Sequence, residues 1–325
     1  MKYQLLLPLL YLLACDTPDP TTTPPNHTTT EDPPYIVFVT GDEEYRSEES
    51  MRMLADLAKR ELGARVRVCY AIDSTGIIDP NRNDHIEGLA ALDSADLMVL
   101  FTRWRNLPKE ESDHITRYAD SGKPMVGFRT TTHAFKILED SSRHHLNNDW
   151  PTEVFGQQWI VHHGHFDDGA YPLTRVSINA ENAEHPILTG VDTFRAYSWL
   201  YHVDGGDWTL NAPADTRLLT GHSLKSKQET AGKLDEYPMT QPLAWTKTHT
   251  GAAGEPARVF FTTLGHPYDF KNENMRRLAL NGIYWALERE SEIADIASVR
   301  PVQAYEPNNS GFGQRFKPNV EPRRY

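Results

Sequence analysis

Four polar clusters and one histidine-rich run hold most of the side chains in this sequence that can move protons or polarise a bond. The clusters are Thr40-Gly41-Asp42-Glu43-Glu44-Tyr45-Arg46, Thr102-Arg103-Trp104-Arg105, Arg129-Thr130-Thr131-Thr132-His133 and Gly265-His266-Pro267-Tyr268-Asp269. Each directly follows a short apolar run that reads as a buried strand. In an open parallel sheet, ligands bind beyond the carboxyl ends of the strands, so four clusters far apart in sequence are expected to meet on one rim. There His133 and His266 are the candidate acids or bases near neutral pH, with Asp42 or Glu43 sharing that role. Arg129 can polarise a carbonyl. Arg46, Arg103, Trp104, Thr131 and Thr132 are candidate contacts to a hydroxyl-rich ligand. Trp159, Trp199 and Trp245 also offer apolar faces to a sugar ring, although the usual place of tryptophan is the core.

The histidine-rich run is Gln157-Gln158-Trp159-Ile160-Val161-His162-His163-Gly164-His165. On a strand, alternation puts His163 and His165 on one face and His162 on the other. Two imidazoles on one face suit substrate hydrogen bonding or, with further ligands such as His133 or His266, a divalent metal. His144 and His145 read as surface residues.

Strand–helix alternation supplies the frame. Strands are expected at Ile36–Val39, Val66–Tyr70, Asp96–Phe101, Pro124–Phe128 and Val259–Thr263. Helices are expected at Ser47–Leu62, Asp84–Leu92, Pro108–Ser121 and Asn272–Glu290, with Ser47 as N-cap and Gly63 as the stop of the first. This pattern implies an α/β fold with a mainly parallel sheet covered on both faces. Between about Trp150 and Ala257, strand-like runs occur without long helices: Trp159–His163, Thr174–Ile178, Phe194–Val203, Arg217–Thr220 and Leu243–Thr248. They are expected to form an antiparallel elaboration beside the sheet.

The amino terminus reads as an address. Lys2 precedes the apolar stretch Leu5–Ala14, far short of the ~20 residues needed to span a bilayer but suited to a signal peptide. It ends in Leu12-Leu13-Ala14-Cys15, which resembles a bacterial lipobox, so Cys15 is expected to be acylated. Residues 16–34, rich in Thr, Pro and Asp, read as a tether. The organisation expected is a signal peptide and lipobox at 1–15, the tether at 16–34, one domain at 35–290 and an extended surface tail at 291–325. The implied location is the cell envelope, with the lipid as the only membrane contact.

Composition excludes several classes. The only cysteines are Cys15 and Cys69, too few for a disulfide framework or a multi-cysteine metal site. Cys69 reads as a buried strand residue. A net charge of -12 without a Lys/Arg run excludes nucleic acid as a partner.

Gly122–Phe135 (GKPMVGFRTTTHAF), Phe155–His165 (FGQQWIVHHGH), His185–Val191 (HPILTGV), Pro242–Lys247 (PLAWTK) and Arg258–His266 (RVFFTTLGH) carry a family resemblance. The sequence resembles the ThuA-like (trehalose utilisation) family from about Tyr35 to Glu290. Its lipobox, Thr-Thr-Thr-His and Gly311-Phe312-Gly313 resemble a lipoprotein form. The resemblance implies a flavodoxin-like, class I glutamine amidotransferase-like three-layer sandwich, and a small carbohydrate, in some members a keto-sugar, as ligand. His163, His165, Trp245 and Lys247 fall in its motifs and join the candidate binding residues.

Two departures from the amidotransferase pattern matter. Arg129 stands where the nucleophilic cysteine would be, and Tyr268 replaces the carboxylate of the His-x-Glu pair. Without a thiolate and its oriented base, glutamine hydrolysis has no nucleophile. Three readings remain: acid–base chemistry on a carbohydrate or keto-sugar, a non-catalytic carbohydrate-binding lipoprotein, and a metal-dependent hydrolase using the His-rich strand.

Overall fold

The computed structural model describes residues 32–164, 168–203 and 216–325. Cys15, most of the tether and His165 lie outside the described residues. The parallel strands are β1 (Tyr35–Gly41), β2 (Arg65–Cys69), β3 (Leu97–Thr102), β4 (Met125–Phe128) and β11 (Pro256–Thr262); the antiparallel ones are β6 (Thr174–Ile178), β7 (Phe194–Ala196), β9 (Thr216–Ser223) and β10 (Thr240–Thr250). Together they form one nine-stranded sheet in the order β2-β1-β3-β4-β11-β10-β9-β6-β7. The first five run parallel and the last four alternate. Beside it stands a two-stranded antiparallel ribbon of β5 (Trp159–His162) and β8 (Tyr201–Val203). The parallel half and its antiparallel extension match the expected architecture.

Alternation along the strands splits the core in two. Ile36, Phe38, Val99, Phe101, Val126 and Phe128 point to one face, against helices α1 (Ser47–Leu62) and α5 (Glu273–Ala286). Val37, Val39, Met98, Leu100, Met125 and Phe261 point to the other, against α2 (Lys109–Ala119) and α3 (His145–Phe155). Both faces of the parallel strands are covered, which explains why they read as continuous apolar runs. Each such side chain contributes about 1.5–3 kcal/mol by leaving water.

Several local expectations change. Asp84–Leu92 is not a helix; bends lead into a 3-10 turn at Leu89–Ser94. The helix α3 has only a weak sequence signature, because Pro151 and four polar residues in its first turns mask its apolar stripe. The run Phe194–Val203 is two strands in two different sheets. Between them Asp269 takes the backbone N–H of Tyr197 (2.6 Å) and Ser198 (3.2 Å), which withdraws that stretch from any ladder. Ser47 does not cap α1. Its hydroxyl accepts from Gly41 N–H at 3.1 Å, while Arg46 holds the cap position in a left-handed conformation. The tail is more embedded than expected: Ile293, Ile296, Val299, Ser310 and Phe316 are buried, and Val320 accepts a backbone bond from Ile78.

Candidate functional site

Because β1, β3, β4 and β11 are consecutive in the sheet, the loops at their carboxyl ends are neighbours. The loops after β1, β3 and β4 share an unusual backbone. Arg46 (φ 53°), Trp104 (φ 45°) and Arg129 (φ 42°) are left-handed, three of the five non-glycine residues with positive φ among those described. Such conformations cost free energy and cluster where a fold holds side chains for function.

Arg129 begins the turn after β4. The sequence resemblance aligns this turn with the nucleophile elbow of amidotransferases, and here it presents a guanidinium. The side chain is fully buried; its Nη1 donates to the carbonyls of Trp199 (3.3 Å) and Thr263 (3.0 Å). The guanidinium lies between the rings of Tyr45 (4.0 Å) and Tyr201 (4.4 Å). Its Nε and Nη2 are buried, and the guanidinium is hydrogen-bonded to the Tyr45 side chain. Gly265 is required beside it, since a Cβ there would stand 2.9 Å from that of Arg129.

Glu43 and Glu44 reach the site from the loop after β1. Glu43 is clamped by Arg103 and Arg105, and Glu44 Oε2 lies 3.2 Å from Arg103 Nε. Burial pushes the Glu44 carboxyl up to about 7, against the opposing pull of Arg103; Asp42 adds to the rise, while Arg129 and the Tyr45 hydroxyl oppose it. Glu44 therefore exchanges a proton near neutral pH. Asp42 is differently employed. One of its oxygens accepts from the N–H groups of Glu44 (2.7 Å) and Tyr45 (2.8 Å), and the other accepts from Thr130. It ties two of the loops together.

An aromatic wall completes the site. The His133 ring lies 5.1 Å from Trp159, 5.4 Å from Trp104 and 6.1 Å from Tyr201. Burial, helped by Arg103, Arg129 and His162, holds this imidazole well below its ordinary range, so it is neutral at pH 7. His162 stacks on Trp199 at 5.0 Å and on Trp159 at 6.2 Å. Strict alternation would send Trp159 and His162 to opposite faces of β5. An irregularity between Trp159 and Val161 in the pairing with β8 shifts the register, and both rings turn to the same side.

His266 is buried below this wall. Its Nδ1 accepts from Tyr268 N–H at 3.1 Å, which places the proton on Nε2, 3.2 Å from Asp168 Oδ1. Nε2 thus faces the Asp168 carboxylate. Thr131 and Thr132 are buried and donate to the carbonyls of Leu100 (2.9 Å) and Arg129 (3.0 Å). Arg46 donates to the carbonyls of Glu43 and, at 2.8 Å, Gly311.

The remaining candidates lie elsewhere. Trp245 is fully buried in the core beneath α3 and donates to the Phe155 carbonyl at 2.7 Å. Lys247 follows two residues on along β10 and donates to the Glu153 carbonyl. Both serve the seam between α3 and the sheet. His163 turns away from His133 and meets Ser226 Oγ at 2.6 Å; burial lowers it to about 4. Among the described residues no group of three His, Cys, Asp or Glu side chains is arranged to hold a metal.

The structure adds Glu44, Tyr45, His162, Asp168 and Tyr201 to the residues singled out from sequence. Glu44 and Tyr45 sat in a cluster already named, but a loop has no periodicity to say which side chain turns inward. Strict strand alternation assigns His162 to the face opposite His163 and His165.

The sheet, its two helical layers and a site at the carboxyl edge of the parallel strands define an α/β protein of the flavodoxin-like kind, with arginine in the turn after β4. The chain belongs to the ThuA family, described as trehalose utilisation, which matches residues 36–286. Membership implies a carbohydrate-related role. Among solved structures it resembles a ThuA-like protein from Bacteroides uniformis (15% identity, 79% of this chain and 93% of that one, TM-score 0.50). Another ThuA-like protein, from Parabacteroides merdae, aligns at 16% identity over 90% of this chain and 98% of that one, with a TM-score of 0.48. No curated protein matches the sequence.

Proposed function

We propose that this chain acts on a carbohydrate or keto-sugar by acid–base chemistry, with Glu44 as the group that carries the proton. The observation that supports it is the Glu44 carboxyl, held near 7 and 3.2 Å from Arg103, in a site shared with Arg129. A base poised at the working pH combines availability with strength. For a keto-sugar, the ionised Glu44 takes the proton from the carbon next to the carbonyl. The electron pair moves onto the carbonyl oxygen, where the Arg129 guanidinium meets the developing charge. Returning the proton to either carbon or oxygen closes the step without a co-reactant. The faces of Trp104, Trp159 and Tyr201 suit the apolar side of a sugar ring. His133, neutral at pH 7, serves as a hydrogen-bonding partner rather than a charged acid, and His266 as a fixed wall.

The test is deuterium exchange at sugar carbons, followed by NMR in D2O with glucose, trehalose and their keto derivatives. Wild type should exchange one of them, and Glu44→Gln should slow that exchange by about 10²-fold or more. Undiminished exchange in Glu44→Gln would refute the assignment. Binding without exchange in wild type would favour the carbohydrate-binding reading, which the absent nucleophile at Arg129 already suits. Exchange that tracks a bound divalent metal would favour the metal-dependent one. We further place this activity outside the cytoplasm, tethered through an acylated Cys15.

A further inference from the structure

Residues 308–313 belong to the tail, beyond the 36–286 region that matches the family, yet they lie across the rim of the site. Gly311 N–H donates to the Glu44 carbonyl at 2.8 Å, and the Gly311 carbonyl accepts from Arg46 at 2.8 Å. Ser310, fully buried, donates to Asp168, and Asn309 Nδ2 donates to the Asp168 carbonyl at 2.9 Å. Between these anchors and Gly313, whose carbonyl accepts from Asn81 at 3.2 Å, Phe312 lies against the Arg103 guanidinium at 5.0 Å, on a cation whose nearer aromatic partner is Trp104 at 3.8 Å. Phe312 remains 56% exposed although the backbone on both sides of it is hydrogen-bonded. The backbone is shaped for it: Gly311 has φ 124° and Gly313 φ 74°, conformations that favour glycine.

We propose that the segment Asn308–Gly313 is a working part of the site, in which Phe312 is a positioning residue that closes the rim over Arg103 and Glu44 and keeps water from the pair. This rests on the reading of Glu44 as the proton carrier for its purpose, though not for its geometry. Phe312 acts by cover rather than by holding Arg103, because Glu43 and Trp104 already fix that guanidinium. The charged and titratable groups facing Glu44 are Asp42, Glu43 and Tyr45 on its own loop, Arg103 after β3, Arg129 after β4 and Tyr201 on β8. None of them belongs to the tail. The tail can therefore act on Glu44 only by covering it, and burial is the largest cause of the rise at that carboxyl.

The experiment uses the full chain labelled at glutamate side-chain carboxyl carbons, titrated by NMR, with Glu44→Gln identifying the resonance. Phe312→Ala should move the Glu44 midpoint down by about one pH unit, towards the ordinary carboxylate range. Phe312→Trp should restore it. An unchanged midpoint in Phe312→Ala, with native chemical shifts elsewhere, overturns the proposal. A shifted midpoint supports it whatever the sugar exchange shows, and exchange that survives Glu44→Gln removes the catalytic reading while leaving the closure standing.

Discussion

Substituting Glu44 by Gln should make the protein more stable at alkaline pH while removing its proposed function. The carboxyl titrates at about 7 in the folded chain, against 4.5 when unfolded. Its folded value is raised, so between those pH values the native state binds more protons than the unfolded state. Stability from this group is therefore greatest in acid and falls as pH rises through the window. A difference of about 2.5 units at 1.36 kcal/mol each gives about 3 kcal/mol, lost between roughly pH 4.5 and pH 8. The side chain is only 13% exposed, so solvent screening takes little of this. Glu48, buried on α1, rises to about 7 for the same reason and adds a parallel slope, so wild type alone is uninformative. The measurement is urea unfolding of wild type and Glu44→Gln at pH 4.5, 5.5, 6.5 and 8. Wild type should lose about 3 kcal/mol more than the variant across that range. Identical slopes would show that Glu44 is hydrated in the native state, and the argument for its proton-carrying role would go with it.

Trp245→Ala should cost about 3–5 kcal/mol of stability by opening a core cavity, measured by denaturation. Any saccharide affinity, measured by calorimetry on the folded fraction, should stay within twofold of wild type; a selective loss of affinity would place Trp245 in the site after all. Arg129→Cys should create a thiol in the turn after β4 yet give no glutamine hydrolysis, because His266 Nε2 already faces Asp168 and Tyr268 stands where the amidotransferase pattern has its carboxylate. Ammonia release from glutamine above the wild-type background would contradict this. Cys15→Ser should shift the protein from the membrane pellet to the soluble fraction on cell fractionation. If the variant still sediments with membranes, the anchor lies elsewhere.

Much of the fold was legible in the chain before its structure. The parallel strands are buried on both faces, so Ile36–Val39 and Asp96–Phe101 had to be continuous apolar runs, and α1 announces itself by Met51, Leu54, Leu57 and Leu62. These signals are local, and tertiary packing agrees with them. The polar loops at the strand ends were equally visible, because a parallel sheet delivers them to one edge whatever their detail. Arg129 at the elbow and Tyr268 in the His-x-Tyr pair also needed only the residues themselves.

Tertiary structure alone decided which members of those loops face one another. The choice of Glu44 over Asp42 depends on a fold that spends one Asp42 oxygen on its own loop and the other on Thr130 after β4. The turning of His162 towards His133 depends on a register slip against β8, a strand about forty residues away. Trp245 and Lys247 sit within a family motif, yet the packing of α3 claims them for the core. The placement of Phe312 on Arg103 joins residues more than two hundred positions apart through tail contacts that no periodicity encodes. Sequence pattern reports what each segment does to its own neighbours; burial, charge pairing and proton affinity belong to groups that meet only when the sheet is assembled.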